Sequence, residues 1–273
     1  MNTHGGKTKK STPRIFAITN QKGGVGKTTT SVNLATALAA IDQRVLLIDL
    51  DAQGNASTGL GITRSAIRHS VYDVLFDDDF QMEEAVKPTR VPNLSLLPSS
   101  IHLSGAEIEL VDMPSREFRL KNALKQPLTY DYVIIDCPPS LSLLTLNALV
   151  AAHALIVPLQ CEFYALEGLS HLMRNVDRVK KSFNPKLFLH GILLTMFDRR
   201  NRLSDMVAKD VRDHFGDKVY KTIIPRNVRL SEAPSHGLPA IVYDMKCAGA
   251  RAYIDLAREI VKIEKTDYGI EIV

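Results

Sequence analysis

Short apolar runs recur along the chain, each followed by a turn and then by a helical pattern. Seven runs predict β-strands, at residues 15–19, 45–50, 94–97, 132–136, 155–159, 187–194 and 219–224. Periodic patterns predict helices at residues 27–41, 143–152, 165–181, 201–215 and 248–264. The strand segments are apolar at nearly every position, which is typical of strands buried on both faces of a parallel sheet. The alternation predicts a single α/β domain, with a mostly parallel twisted sheet and helices on both faces.

Between residues 72 and 124 the pattern is less regular and predicts only short helices. No repeat with a period of about 20 to 50 residues is visible, and no low-complexity linker divides the chain. We therefore predict one domain over residues 14–273. Residues 1–13, which carry Lys7, Lys9 and Lys10, are predicted to form a flexible basic arm.

The overall composition is that of a globular protein, with 45% hydrophobic and 23% charged residues. This excludes disordered, collagen-like and coiled-coil classes. The cysteines, Cys137, Cys161 and Cys247, are widely spaced and form no CxxC pair, so we expect a reducing cytoplasm rather than a disulfide scaffold or a zinc site. Polar residues and Pro158 interrupt the longest apolar stretch, residues 141–159, which indicates a core segment and not a membrane span.

The most informative motif lies between the first predicted strand and the first predicted helix, where residues 20–30 read NQKGGVGKTTT. Glycines in this position let the backbone approach phosphate oxygens, and the helix N-terminus adds its positive end. Lys27 can reach the β- and γ-phosphates, and the Thr28 hydroxyl can ligate Mg²⁺. The strict phosphate-loop pattern requires glycine at position 21, where this chain has Gln21, and Lys22 precedes the glycines instead.

Carboxylates follow two of the predicted strands. VLLIDLD ends in Asp49 and Asp51, and YVIID ends in Asp136. A nucleotide hydrolase needs such groups at the carboxyl ends of strands near its phosphate loop, to hold Mg²⁺ and to orient water. The segment after the second predicted strand, DAQGNASTGLG, is rich in small and polar residues and is predicted to be a switch that responds to a γ-phosphate.

Five segments together resemble the ParA/Soj partition ATPases, which belong to the deviant Walker A class of P-loop NTPases that also includes MinD. They are KGGVGKTTT, DLDAQGNASTGLG, YVIIDCPPSL, PLQCEFYALEGL and IIPRNVRLSEAPSHG. The resemblance covers residues 14–263, nearly the whole chain. It implies slow hydrolysis of ATP with Mg²⁺, an ATP-dependent homodimer, binding of double-stranded DNA without sequence preference, and a ParB-type partner that stimulates hydrolysis.

The resemblance also implies roles for the phosphate loop. Lys22 resembles the signature lysine that crosses the dimer to the phosphates of the other subunit, and Lys27 would hold the phosphates of its own subunit. The residues that would cradle the nucleotide are Lys22, Gly23, Gly24, Val25, Gly26, Lys27, Thr28 and Thr29. The adenine pocket of the family lies near residues that match Pro225 and Asn227 here.

For the metal and the chemistry, the resemblance implies that Thr28 binds Mg²⁺ while Asp49 and Asp136 support it. Asp51 resembles the carboxylate that orients the attacking water, so Lys22, Lys27 and Asp51 form the implied catalytic set. One departure from many relatives is Ala52, where they carry proline.

Positive charge is concentrated between residues 199 and 229, where nine Lys and Arg stand against four Asp, compared with a net charge of +4 for the whole chain. In the family, a basic surface in this region binds DNA phosphates, and such binding weakens steeply with salt. The candidate DNA contacts are Arg199, Arg200, Arg202 and Arg229. This implies a protein of the nucleoid within the cytoplasm.

Three alternatives remain open from the sequence. A MinD-like membrane ATPase would need a C-terminal amphipathic helix with a basic face; the tail KIEKTDYGIEIV has mixed charge, so no stable membrane association is expected. An iron–sulfur ATPase similar to the nitrogenase iron protein would use Cys137 and Cys161, which lack its flanking residues. A ParA-like ATPase that positions other cargo shares the same catalytic set.

Overall fold

The computed structural model describes residues 12–269 of the 273-residue chain. Its strands are β1 (Arg14–Ile18), β2 (Val45–Asp49), β3 (Lys87–Pro88), β4 (Leu94–Leu97), β5 (Tyr132–Asp136), β6 (Ala154–Gln160) and β7 (Phe188–Thr195). The α-helices are α1 (Lys27–Ala40), α2 (Asn55–Gly59), α3 (Val71–Phe76), α4 (Met82–Ala85), α5 (Leu103–Glu109), α6 (Arg119–Ala123), α7 (Leu143–Ala151), α8 (Ala165–Ser182), α9 (Arg202–Phe215), α10 (Val228–Glu232), α11 (Ala240–Tyr243) and α12 (Ala248–Asp267). Short 3₁₀ helices cover Arg64–Ala66, Leu110–Asp112, Gly216–Lys218 and Ala233–His236.

The strands form one sheet in the order β3-β4-β2-β5-β1-β6-β7. All neighbouring pairs are parallel except β3 with β4. Strand β1, which precedes the phosphate loop, lies between β5 and β6, and Asp49 at the end of β2 is in register with Asp136 at the end of β5. The carboxyl ends of the central strands therefore bring the phosphate loop and the predicted carboxylates to one edge of the sheet.

Side chains of each strand alternate between two hydrophobic cores, one on each face of the sheet. In β1, Ile15 and Ala17 belong to the core under helices α3 to α9, whereas Phe16 and Ile18 belong to the core under α1 and α12. This confirms the prediction of a single α/β domain with a mostly parallel sheet and helices on both faces. Burial on both faces explains why the strands read as continuous apolar runs.

Six of the seven predicted strands are present, and all five predicted helices are present to within a few residues at their ends. The short helices predicted between residues 72 and 124 are also found. The pattern gave no sign of the short helices α2, α10 and α11 or of the two-residue strand β3. The predicted N-terminal arm lies outside the described residues except for positions 12 and 13.

The predicted strand at residues 219–224 is wrong. This segment runs beside β7 but makes only isolated bridges, from Val219 to Ile192 and from Pro225 to Phe197. The backbone N–H groups of Lys221 and Thr222 donate to the Glu259 carboxylate of α12, at 2.7 and 3.0 Å, instead of to a strand. The carboxylate of Glu259 thus takes the place of the carbonyl acceptors of a neighbouring strand. Apolar patterning does not reveal this exchange.

The C-terminal helix α12 packs along α1 and is fastened at both ends. Near its start, the Tyr253 hydroxyl lies 3.1 Å from the Thr30 hydroxyl of α1. Near its end, the fully buried Glu264 lies 2.8 Å from Nε of Arg14 in β1 and 3.0 Å from Nε2 of His190 in β7. The apolar face of α12 is therefore used within the fold. Within residues 12–269, no helix combines the length and apolar character needed to cross a bilayer.

Candidate functional site

The phosphate loop, residues 20–26, connects the end of β1 to the start of α1. Its first residue is held in place, because the Asn20 side-chain amide donates to the carbonyl of Pro158 at 2.8 Å and its side-chain oxygen accepts from the backbone N–H of Lys22 at 3.0 Å. On the other side, the Thr195 hydroxyl at the end of β7 donates to the carbonyl of Val25 at 2.9 Å. Two neighbouring strands therefore fix the loop before any ligand binds.

Two glycines of the loop adopt conformations that other residues rarely reach. Gly24 has φ of 75° and Gly26, the residue before α1, has φ of 87°. A Cβ atom at Gly23 or Gly24 would meet no atom within 4 Å, so space is left above the loop. Backbone N–H groups at the start of a helix, next to such an opening, suit a phosphate group.

The Lys27 side chain folds back over the loop, and its Nζ donates to the carbonyl of Lys22 at 2.9 Å. The residue is 7% exposed. Burial lowers the pKa of the ammonium, and the nearby carboxylate of Asp136 partly opposes this shift. A cation held in so dry a position interacts more strongly with an anion than a surface lysine does.

Lys22 points the other way. Its side chain is half exposed and its Nζ forms an ion pair with Glu162, in the segment after β6. The predicted signature lysine is thus on the surface of the protein, and the residues that follow its partner Glu162, Phe163 and Tyr164, are exposed as well. The hydrogen bonds of Lys22 with Asn20 and Lys27 are made by the backbone of Lys22 and not by its side chain.

Asp136 at the end of β5 is fully buried. Its Oδ1 accepts a hydrogen bond of 2.7 Å from the Ser31 hydroxyl of α1, whereas its Oδ2 is buried and has no partner within the described residues. Burial, together with the neighbouring Asp49, raises its pKa to about 7, and the hydroxyl groups of Ser31 and Thr28 oppose that shift. A carboxylate oxygen without a partner, close to Thr28, fits a site for a divalent cation.

Asp49 is also fully buried, but both of its oxygens are engaged. Oδ2 accepts from the backbone N–H and the hydroxyl of Ser57 at 2.8 and 2.7 Å, and Oδ1 accepts from the N–H of Asp51 at 3.3 Å. Burial raises its pKa to about 6 despite these hydrogen bonds. Asp49 thus holds the predicted switch segment through its hydrogen bonds with Asp51 and Ser57.

Asp51, two residues further along the chain, is partly exposed. Its carboxylate accepts from the N–H of Gln53 at 2.9 Å, and its backbone carbonyl accepts from the hydroxyl of Ser99 at 2.5 Å. The backbone is therefore held firmly while the carboxylate can reach a water molecule. This combination suits a group that orients water.

A cavity of about 400 Å³ extends from the phosphate loop towards the segment after residue 224. Gly26, Thr29, Pro225 and Asn227 all line it, together with Tyr253 of α12. The Asn227 side-chain oxygen accepts from the N–H of Arg229 at 3.0 Å and so caps α10. The structure thus brings the predicted adenine residues to the same cavity as the phosphate loop.

The four candidate DNA contacts form an arginine patch, defined as Arg199, Arg200, Arg202 and Arg229. The bridge between Phe197 and Pro225 brings the two segments that carry them side by side. All four are exposed, but they differ in pairing. Arg200 forms hydrogen bonds of 3.0 and 2.9 Å with Asp198, which draw the pKa of that carboxyl down to about 2.

The other three members of the patch also differ. Arg229 lies 2.8 Å from Glu232 and 3.6 Å from Asp244. For Arg199 and Arg202 no ion pair is found among residues 12–269. Half of the predicted patch is therefore already neutralised by its own chain, and Arg199 and Arg202 are the members that offer charge most directly.

Several supporting residues escaped prediction from the sequence. Ser31 lies one helical turn after Lys27 on α1, so its contact with Asp136 could have been inferred from spacing. Ser57 lies eight residues after Asp49, within the predicted switch segment, and donates to it. Ser99 and Thr195 lie far from the phosphate loop in sequence, and the sheet order brings them to the site. Hydroxyl residues are too common after strands to be singled out without that order.

Comparison with known proteins gives a consistent picture. A family model described as an AAA domain matches residues 13–189. The chromosome partitioning protein ParA of Caulobacter vibrioides is 58% identical over 255 residues, which cover 92% of this chain and 95% of that protein. The sporulation initiation inhibitor protein Soj of Bacillus subtilis is 57% identical over 248 residues, covering 90% of this chain and 98% of that protein.

Among solved structures, a cobyrinic acid a,c-diamide synthase from Mycobacterium smegmatis with bound ADP and magnesium is 40% identical, with a TM-score of 0.81. The alignment covers 93% of this chain and 96% of that one. The two proteins therefore share the fold over nearly their whole lengths.

Proposed function

The chain belongs to the ParA/Soj family of chromosome-partitioning ATPases, and from this premise we propose that it hydrolyses Mg·ATP as a DNA-bound dimer. ATP would join two subunits, the dimer would bind nucleoid DNA without sequence preference, and a ParB-type partner would stimulate hydrolysis and release it. The nucleotide part of the proposal rests on Oδ2 of Asp136, a buried oxygen for which the described part of the chain offers no partner, next to Thr28 and beside a phosphate loop that is already ordered.

Nucleotide binding would exchange one set of contacts for another. The Nζ of Lys27 leaves the carbonyl of Lys22 and binds phosphate oxygens, and the N–H groups at the start of α1 bind the remaining ones. Little reorganisation is needed, because Asn20 and Thr195 hold the loop in the absence of a ligand. The base would occupy the cavity between Thr29 and Asn227.

Thr28 and Asp136 are the residues that would hold Mg²⁺, with Asp49 supporting the segment above them. The ion, when bound, neutralises charge that develops on the transferred phosphoryl group. Asp51 would orient the attacking water through its carboxylate, while Ser99 and the N–H of Gln53 keep that residue in place. Phosphoryl transfer depends mainly on such positioning and on charge stabilisation.

Dimerisation would be coupled to hydrolysis through Lys22. Its side chain points away from its own site, and its one ion pair among residues 12–269 is the surface pair with Glu162. Pairs of that kind contribute about 0–1 kcal/mol, so Lys22 can exchange Glu162 for phosphates across an interface at little cost. The arginine patch of each subunit would then be doubled on one particle, which makes DNA affinity depend on ATP.

The first experiment is binding of the purified protein to random-sequence duplex DNA, with ATP, with ADP and without nucleotide, over a series of salt concentrations. We expect tight binding with ATP alone, weakening steeply with salt. The double variant Arg199→Ala/Arg202→Ala should flatten the salt slope by about two per subunit, or about four for the dimer, since each phosphate contact contributes about 0.9 to it. Binding that is equal with and without ATP, or absent while ATP is hydrolysed, contradicts the proposal; anionic vesicles would then be tested in place of DNA.

The catalytic part is tested by Asp51→Ala. We expect hydrolysis to fall by about a hundredfold or more, the range of a lost group that orients or activates water, while ATP binding remains. The variant should then stay on DNA as an ATP-bound dimer. Unchanged hydrolysis would remove Asp51 from the mechanism.

A further inference from the structure

Met196, the residue after β7, has a backbone conformation that a long apolar side chain rarely adopts. Its φ is 50°, which lies in the left-handed region. Between residues 12 and 269, Asp42, Asn93 and Ser115 also have a positive φ without being glycine, and short polar side chains tolerate it best. A methionine in this conformation is strained, and such strain persists where the surrounding structure imposes it, often beside a ligand site.

The backbone on both sides of Met196 is fixed by residues 224–226. Before it, the carbonyl of Leu194 accepts from the N–H of Ile224 at 2.9 Å. After it, the N–H of Phe197 donates to the carbonyl of Ile224, and the carbonyl of Phe197 accepts from the N–H of Arg226, both at 3.0 Å. The chain must therefore turn between these anchors, and Met196 takes the left-handed conformation at the turn.

The turn changes the direction in which Met196 points. Residues two apart in a strand share a face, yet Leu194 and Phe197, three positions apart, belong to the same hydrophobic core. Met196 is thus turned out of the core in which a regular strand would place it, and it belongs to neither core of the fold. It faces the phosphate loop beside Thr195 instead, with its Cε atom 3.6 Å from the position that a Cβ of Gly26 would take.

Met196 also lines the cavity of about 400 Å³ that Pro225, Asn227 and Tyr253 line. The residue is 38% exposed, so packing within the fold compensates little of the backbone strain. A ligand that covers the thioether would compensate more of it, because thioethers pack favourably against aromatic rings. Since the cavity begins at the phosphate loop, the aromatic group that fits there is the base of a nucleotide whose phosphates occupy the loop.

We propose that Met196 binds the base of the nucleotide through its thioether, and that the strained turn is kept for this contact. A purine ring covers more of the side chain than a pyrimidine ring does, so Met196 also favours purine over pyrimidine nucleotides. This role rests on the proposed function and deepens it, because it assigns the choice of base to a named residue.

The test uses the full chain with Mg²⁺ and compares two probes by isothermal titration calorimetry. One is ATP, and the other is inorganic tripolyphosphate, which carries the phosphates without a base. In Met196→Asn, whose side chain suits the left-handed region but has no thioether, ATP binding should weaken by about twofold to tenfold, the size of a lost thioether–aromatic contact. Tripolyphosphate should bind the variant and the wild type equally, and the preference for ATP over CTP should shrink in the variant.

The matched control is Ser115→Asn. Ser115 has a φ of 51°, so the same residue type is introduced into the same backbone region, but Ser115 does not line the nucleotide cavity. This variant should bind ATP as the wild type does.

Urea unfolding without nucleotide separates a binding role of Met196 from a structural one. Met196→Asn should unfold at the same urea concentration as the wild type or at a higher one, because relief of the backbone strain offsets the lost contact with Gly26. A lower midpoint would mean that the fold itself needs this side chain, and it would overturn the proposal.

The contrary binding results are distinct from one another. Equal loss of affinity for ATP and for tripolyphosphate would mean that Met196 supports the phosphate loop and not the base, and unchanged ATP binding would remove Met196 from the site. Either result overturns the role of Met196 and leaves the proposed function standing. An unchanged ratio of ATP to CTP affinity overturns the preference for purines. A wild type that binds neither ATP nor tripolyphosphate would refute the proposed nucleotide function itself.

Discussion

The phosphate-loop region and the arginine patch both present positive charge to an anion, yet the protein builds them in opposite ways. Lys27 is 7% exposed and faces the fully buried Asp136, whereas Arg200 has a side chain that is 89% exposed and is paired with Asp198. In the first region few charges act in a poorly screened environment, and each has one position. In the second region, many charges act through water, and neighbouring charges can compensate for the loss of one.

This contrast predicts how each region responds to substitution. A buried group cannot be compensated by a neighbour, so its loss should be close to all-or-none. DNA phosphates compete with carboxylates of the same chain for each arginine of the patch. Loss of one arginine, or its release from such a carboxylate, should therefore change DNA affinity by small, additive steps. The three predictions below test that difference, from the largest effect to the smallest.

Lys27→Ala should weaken ATP binding by at least about a hundredfold, because a hydrogen bond to a charged group contributes about 1.5–3 kcal/mol and Lys27 can make more than one. Isothermal titration calorimetry measures this directly. Lys22→Ala is the matched control, since it removes a lysine five positions away that is exposed and not buried. It should retain nucleotide binding by the monomer and lose the ATP-dependent dimer on size-exclusion chromatography. Equal loss of binding in both variants would contradict the distinction between the two lysines.

Asp136→Asn should change how stability depends on pH. The pKa of this carboxyl is raised from 3.8 to about 7, so between those values the folded protein keeps a proton that the unfolded chain has lost. The free energy of unfolding therefore falls as pH rises through this window, and the amide variant should lose that part of the slope. Urea unfolding without nucleotide at several pH values measures it. Parallel curves for the two proteins would show that Asp136 does not carry a shifted proton.

Asp198→Asn should raise affinity for duplex DNA, because it releases Arg200 from an internal pair. The expected gain is about twofold to fivefold, the size of a surface ion pair converted to an equilibrium constant. Asp177→Asn on α8 makes the same change in net charge at another exposed carboxylate and should have a smaller effect. If both variants gain equally, total charge and not the patch determines DNA affinity.

The same contrast explains what the sequence could and could not predict. The phosphate loop, Asp49, Asp51 and Asp136 lie within short motifs next to apolar strands, and parallel pairing brings strand ends together whatever the rest of the chain does. Local patterning was therefore enough to place them. The contact of Ser99 with Asp51 depends on strand order, which no local pattern contains.

Pairing of surface charges was beyond prediction for a related reason. Counting Lys and Arg between residues 199 and 229 located the patch, but which of them are neutralised depends on loop conformation, as with Arg200 and Asp198 two residues apart. The error at residues 219–224 has the same origin. An apolar run predicts burial, and the choice between a strand and a segment held by Glu259 is made by a residue that lies 37 positions away from Thr222.

The contact between Arg14 and Glu264 has a practical consequence for imaging and immobilisation. Arg14 begins the five-residue strand β1, so it lies about 20 Å from Asn20, where the phosphate loop starts, at the opposite edge of the sheet. Because Glu264 meets Arg14, the first strand and the last helix approach the same remote side of the molecule. A fluorescent reporter or a surface tether attached beside either residue would leave the nucleotide face open, and the two attachment points would report on one and the same end of the particle.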